Sequence, residues 1–141
     1  MHIPPQASLD QLEQVQVAES EPASLLGATI RRHRRTPVEQ LGTEALRFLL
    51  EEGEAVALVL RIALDRLERD PFQAGDFHRG DLLVAVLAQP SVMWNAYPEL
   101  RARAFALVGD VEPHLGTLAA ADRAIVDRAI RAFRALWPHW S

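Results

Sequence analysis

Apolar residues recur three and four positions apart along most of this 141-residue chain, and this spacing constrains its fold more than any other feature. Side chains three and four apart share one face of an α-helix, whereas a half-buried strand needs an apolar residue at every second position. Alternating runs of β-branched and aromatic residues, which are typical of strands, are absent from the sequence. We therefore predict an all-α fold, a compact single-domain bundle of about seven or eight short helices.

Two stretches carry the clearest helical pattern. The stretch from Glu54 to Arg69 is apolar on most sides, so we expect it to be a central, buried helix. The stretch from about Ala119 to Leu136 is amphipathic, with arginines opposite an apolar face. The residues that we expect on that inner face are Ile125, Val126, Ala129, Ile130, Phe133 and Leu136.

Capping residues and glycines indicate where helices begin and end. Thr36 and Glu39 have the spacing of a capping box, in which each side chain satisfies a free backbone amide. Asp81 is the expected N-cap of a helix from Leu82 to Ala88. Gly53 is expected to end a helix in the left-handed conformation, and Gly80 to supply a turn with positive φ.

The chain start differs in character from the rest. Pro4 and Pro5 predict a flexible N-terminus over residues 1–7, because they disfavour regular structure near a chain end. Ser8 then has the position of an N-cap for a short helix. We expect residues 8–141 to form one helical domain.

Charge and composition exclude several classes of protein. All 15 basic residues are arginine and 19 residues are acidic, which gives a net charge of −4 and disfavours non-specific nucleic-acid binding. Arg31–Arg35 is the local exception, either a basic helix end or a nucleic-acid patch. The sequence lacks cysteine, and its apolar runs, such as Ala55–Leu60, are far too short to span a bilayer. We expect a soluble, cytoplasmic protein that does not bind membranes.

Asp76, His78 and Asp81 form the one local group with metal-ligand chemistry, because carboxylate and imidazole both bind zinc or iron. All three share one loop, and the sequence offers no obvious fourth ligand. It also lacks a glycine-rich phosphate loop and a G-x-S-x-G motif. We predict no catalytic residues, no metal and no cofactor. The alternative is an enzyme that uses these three residues.

Acidic and aromatic residues suggest a binding surface instead. Glu51, Glu52 and Glu54 surround Gly53 and form either an ordinary solvated face or an acidic docking surface. The aromatic residues that need cover, from the core or from a partner, are Trp94, Tyr97, Trp137 and Trp140.

The order of these motifs resembles the immunity proteins of bacterial contact-dependent growth inhibition systems. The resemblance covers residues 8 to 108. The matching segments are SLDQLE from Ser8, RRTP from Arg34, EALRFLL from Glu44, ALDRL from Ala63, DPF from Asp70, GDF from Gly75, GDLL from Gly80, then Trp94, Pro98, Glu99 and Leu100. Arg79 stands where similar sequences have proline, and Glu51–Glu54 is more acidic than in them.

The resemblance implies a protein that binds the C-terminal domain of a cognate toxin and occludes its active site or substrate surface. Such toxins are often nucleases, whose clefts are basic, so that an acidic partner would steer association. The candidate toxin-binding residues are Glu51, Glu52, Glu54, Asp76, His78 and Arg79. A small helical nucleic-acid-binding regulator that uses Arg31–Arg35 is the alternative.

Overall fold

A computed structural model describes residues 2–15, 22 and 24–138, and its fold is all-α, as the spacing of apolar residues predicts. The described ranges hold eight α-helices, two 3₁₀ helices and two isolated bridges, with no strand. The α-helices are α1 Leu9–Glu13, α2 Leu25–Arg35, α3 Thr43–Glu52, α4 Val56–Arg69, α5 Asp81–Leu87, α6 Ser91–Ala96, α7 Pro98–Val111 and α8 Ala120–Ala135, and the 3₁₀ helices are Val38–Gln40 and Glu112–Thr117. None of the described helices is both long and apolar enough to cross a bilayer.

Helix α4 is central, as predicted. It packs against α3, α5 and α7, while α5 also packs against α8. Its buried residues are Val59, Leu60, Ile62, Ala63, Leu64 and Leu67. This burial on several faces agrees with the broad apolar surface of the sequence pattern.

The aromatic residues near the C-terminus cover one another. The ring of Phe133 lies 4.8 Å from Phe105, 5.1 Å from Trp137 and 5.5 Å from Trp94, measured between centroids. Trp94 is fully buried, and its indole N–H donates to the carbonyl of Gln89 at 3.1 Å. Trp94 and Trp137 therefore pack within this chain, whereas Trp140 lies outside the described residues.

The buried face of α8 is narrower than the sequence pattern predicts. Val126, Ile130 and Phe133 are buried, but Ile125 and Leu136 are each 42% exposed. The buried three follow the four- and three-residue spacing of a narrow stripe, and the two exposed residues lie beside it or beyond the helix end.

Several predicted helix ends are confirmed. The Ser8 hydroxyl accepts the Gln11 amide at 3.2 Å, and the Gln11 side chain accepts the Ser8 amide at 2.9 Å, which makes a capping box for α1. Gly53 ends α3 with φ of 72°, and Gly80 precedes α5 with φ of 86°.

The capping box predicted at Thr36 and Glu39 is wrong. The Thr36 hydroxyl donates to the carbonyl of Arg32 at 2.7 Å, so this residue closes α2 instead of opening the next helix. Pro37 keeps the chain extended, and only the three-residue 3₁₀ helix follows, with no side-chain cap among its described residues. The Glu39 amide donates to the carbonyl of Pro5 instead, at 3.1 Å.

Residues before α1 are hydrogen-bonded to the segment after α2. The Val38 amide donates to the carbonyl of Ala7 at 2.9 Å, and Ser8 forms an isolated antiparallel bridge with Pro37. The flexibility of residues 1–7 and the domain boundary at residue 8 stay predictions.

The junction between α3 and α4 contains a strained residue that sequence reasoning did not predict. Ala55 adopts the left-handed conformation, with φ of 48°, so α4 begins at Val56 and not at Glu54. This conformation costs an L-residue about 1–2 kcal/mol relative to the right-handed one. With Gly53 also left-handed, the junction reverses the chain within a few residues.

We expect Ala55→Gly to raise the free energy of unfolding by about 1 kcal/mol, because glycine adopts positive φ without a Cβ clash. The matched control is Ala102→Gly in α7, an exposed helix interior where glycine should cost about 1 kcal/mol. Urea denaturation measures both changes. A decrease of similar size in the free energy of unfolding of the two variants would contradict the left-handed conformation of Ala55.

Candidate functional site

The loop over residues 70–80, between α4 and α5, is the most distinctive feature of the surface. Phe72 anchors its start in the core, and the Gly80 amide donates to the carbonyl of Phe72 at 3.2 Å. Ala74 and Arg79 form an isolated antiparallel bridge, so the chain doubles back between them. Phe77 lies at the tip of this hairpin-like turn with 70% of its surface exposed.

Asp81 holds the loop from the side of α5, and its predicted role as N-cap is wrong. Gly80 occupies the cap position, and Asp81 is the first residue of α5. Its buried carboxylate accepts the backbone amides of Gly75 at 2.7 Å and Phe77 at 3.1 Å. The Asp81 side chain therefore points back to the loop and not to the first turn of α5.

Glu44 holds the same loop from the side of α3. Its Oε1 accepts the backbone amide of Asp76 at 2.9 Å. Gly75 packs so closely here that an added Cβ would lie 2.5 Å from Glu44 Oε1 and 3.0 Å from an Asp81 carboxylate oxygen. Two carboxylates, from helices on either side, therefore fix the path of the loop through its backbone.

Arg47 links α3 to the exposed ring of Phe77. Its guanidinium donates two hydrogen bonds to Glu44, at 2.7 and 2.6 Å, and one to Glu51 at 2.5 Å. It also lies 4.3 Å from the centroid of the Phe77 ring, within the range of a cation–π contact. The hydrogen bonds from Arg47 lower the pKa of the Glu44 carboxyl below its usual 4.5, and Glu44 in turn raises the pKa of Arg47.

An open cavity of about 550 Å³ adjoins this network, and we call it the Phe77 groove. Arg47, Glu51, Phe77, His78 and Asp81 line it from α3, the loop and the start of α5. The other lining residues are Leu50, Val84, Ala85, Ala88, Gln89 and Pro90, most of them apolar. The groove thus has a mainly apolar floor and a rim that carries charge.

The structure brings most of the predicted site residues to one region. Glu51 and His78 line the Phe77 groove, and the Nδ1 atom of the His78 ring lies 2.8 Å from the Arg79 carbonyl oxygen. Asp76 and Arg79 are exposed in the same loop, and Glu52 is exposed near the end of α3.

Glu54 belongs to a different cluster, centred on Arg34. The Arg34 guanidinium binds Asp10 at 2.7 Å and Glu54 at 3.1 Å, and it also pairs with Glu13. These carboxylates come from α1 and from the α3–α4 junction, so the cluster ties α2 to the rest of the protein. The predicted acidic group of Glu51, Glu52 and Glu54 is therefore divided, because Glu51 pairs with Arg47 and Glu54 with Arg34.

The same cluster reduces the support for a nucleic-acid patch at Arg31–Arg35. Arg34 already faces three carboxylates, which neutralise its charge toward any phosphate. Arg31, Arg32 and Arg35 line a separate cavity of about 520 Å³.

The alternative of a metal site at Asp76, His78 and Asp81 also lacks support. Within the described ranges, no three side chains of the ligand types are grouped so that they could hold an ion. Both carboxylate oxygens of Asp81 already accept backbone amides of the loop.

Sequence reasoning missed Phe77 and Arg47. The signal for Phe77 was an aromatic residue between two glycines, outside any helical stripe. The signal for Arg47 was its spacing, three residues after Glu44 and four before Glu51, which places the three side chains on one helix face.

Residues 11–104, two thirds of the chain, match the family model for CDI (contact-dependent growth inhibition) immunity proteins. The match includes α3, α4, α5 and the whole loop that carries Phe77, but not α8. Neither the curated proteins nor the solved structures gave a significant match.

We expect Gly75→Ala to destabilise the protein by about 1–3 kcal/mol, because the new methyl group would force Glu44 or Asp81 away from the loop. Gly109→Ala in α7 is the control, since a Cβ there meets none of the described atoms within 4 Å and should stabilise the helix by about 1 kcal/mol. Thermal and urea denaturation compare the two. Equal stabilisation of both variants would contradict the close approach at Gly75.

The lowered pKa of Glu44 predicts a pH-dependent contribution to stability. A carboxylate with a depressed folded pKa stabilises the protein above its unfolded value, here near 4.5, and loses this contribution as the pH falls through the folded value. Glu44→Gln should therefore be less stable than the parent at pH 7, and the difference should narrow below pH 4.5. Urea titrations across this pH range measure the difference in free energy of unfolding between the parent protein and Glu44→Gln. Glu39→Gln, at an exposed position, is the charge control. A difference that does not change with pH would refute the prediction.

Proposed function

The chain belongs to the family of CDI immunity proteins, and we propose that it acts in the cytoplasm by binding the C-terminal domain of its cognate toxin and covering a basic substrate surface. Membership of this family makes the partner a toxin of contact-dependent growth inhibition. The nuclease activity of that toxin, the occlusion of its active site and the absence of catalysis by the immunity protein are parts of the proposal.

One observation carries the proposal, namely the negative surface around the Phe77 groove. Arg47 neutralises only one of its two partners, Glu44 and Glu51, and the exposed Glu52 and Asp76 add further negative charge. This region stays net negative even when Arg79 is counted. We call the exposed carboxylates of Glu51, Glu52 and Asp76 the acidic surface.

A negative surface suits a nuclease as partner. A nuclease binds phosphates through basic residues, so a protein with exposed carboxylates competes for the same side chains. Electrostatic attraction of this kind mainly accelerates association and weakens as the salt concentration rises. The immunity protein then needs no chemistry of its own, because a stoichiometric complex denies the substrate access.

We expect the toxin domain encoded immediately upstream of this gene to hydrolyse nucleic acid and to lose that activity when one equivalent of this protein is added. A titration of nuclease activity against the molar ratio measures this. A saturated complex that still cleaves nucleic acid would contradict occlusion, and a toxin domain that leaves both DNA and RNA intact would contradict the nuclease assignment.

We expect the double variant Glu52→Arg with Asp76→Arg to associate with that toxin domain about 10-fold more slowly at low salt, because both changes place repulsive charge on the acidic surface. The control is Glu39→Arg with Asp110→Arg, two exposed acids elsewhere whose reversal changes the net charge equally. Stopped-flow measurements at two ionic strengths compare them. Equal slowing of both variants would indicate a net-charge effect and would remove the acidic surface from the interface.

A further inference from the structure

We infer that the Phe77 groove receives a basic segment of the toxin, in which an apolar side chain enters the groove and an arginine or lysine stacks on Phe77. This inference rests on the proposed function and adds the kind of partner segment and the residue that dominates binding. Phe77 would contribute most of the binding energy, and the carboxylates of the acidic surface would attract the basic segment to the groove.

The exposure of Phe77 has no explanation in the folding of the loop. The loop is fixed by backbone amides of residues 75–77, which donate to the carboxylates of Glu44 and Asp81. These bonds need no aromatic side chain at position 77. The ring nevertheless leaves 70% of its surface in water, although one of its faces is close to the Arg47 guanidinium. A large aromatic residue held rigidly in this way is typical of a binding hot spot.

The size and lining of the groove indicate a segment, not an extended flat surface. Its volume of about 550 Å³ lies within the range of small ligand sites, so it accepts one or two large side chains. Leu50, Val84 and Ala85 contribute to its floor, and an apolar side chain of the partner would be buried there.

The charge at the rim selects a basic segment. Arg47 is held by three hydrogen bonds to Glu44 and Glu51, so its charge is compensated within the protein. Glu51 also faces the groove, and Asp76 lies beside Phe77 in the same loop. A cation that stacks on the open face of Phe77 would meet these carboxylates, whereas an acidic segment would be repelled.

The test is calorimetric titration of the purified full-length protein with the toxin domain encoded upstream. We expect Phe77→Ala to weaken binding at least 30-fold, and Phe77→Tyr to retain binding because a tyrosine ring keeps the cation–π contact. Val92→Ala is the matched control, since Val92 is 73% exposed on α6 outside the groove, and it should leave the affinity unchanged.

A second pair of variants keeps the inference falsifiable if Phe77→Ala perturbs the loop. Ala88→Trp would fill the groove from an exposed lining position, and Ala96→Trp places the same residue at an exposed position outside it. We expect the first to weaken toxin binding at least 10-fold and the second to have little effect.

Failure of the inference and failure of the proposed function give different results. Unchanged affinity for Phe77→Ala and Ala88→Trp, with tight binding by the parent protein, would overturn the groove as the binding site and leave the function standing. No binding by the parent protein would overturn the function and the inference together. The free protein could also prove to be a dimer in sedimentation experiments. If Phe77→Ala dissociated that dimer, the inference would be overturned, because a second copy of the chain would then occupy the groove.

Discussion

The loop that presents Phe77 depends on carboxylates that accept backbone amides from two sides. Asp81 reaches it from the start of α5 and Glu44 from α3, and Arg47 holds Glu44 in place through two hydrogen bonds. Carboxylates that accept backbone amides in this way fix the loop backbone without a regular secondary structure. The surface around Phe77 is therefore built by interactions that connect the loop to α3 and α5.

Two groups of charged residues differ in their tasks. In the cluster of Arg34 with Asp10, Glu13 and Glu54 the charges are paired within the protein, and this matters because α2, whose side chains are all described, buries none of them. Ion pairs thus help to attach that helix, together with the contact between the rings of His33 and Phe48. The acidic surface, by contrast, keeps an excess of negative charge, which is the arrangement expected of a protein that binds a basic target.

The sequence was sufficient for features that depend on residues close together in the chain. Helix periodicity, the N-cap at Ser8 and the left-handed glycines at 53 and 80 all follow from local spacing. The partners of the acidic residues could not be predicted in the same way, because they are distant in the sequence. The arginine that pairs with Glu54 lies 20 residues away in α2, and the backbone amide that donates to Glu44 lies 32 residues away in the loop. Asp81 was assigned to the wrong partner for the same reason, since its choice between the first turn of α5 and the preceding loop is made by the three-dimensional path of that loop.

The most direct test of this account is oxidative footprinting of Phe77 in the free protein and in the complex with the toxin domain encoded upstream. Phe77 and Val92 are about equally exposed, at 70% and 73%, and Val92 lies outside the groove. Val92 therefore serves as the reference for a part of the surface that the toxin should leave uncovered. We predict that complex formation strongly reduces oxidation of Phe77 and leaves oxidation of Val92 unchanged, as measured by mass spectrometry. Continued oxidation of Phe77 at the free-protein rate in a saturated complex would contradict it.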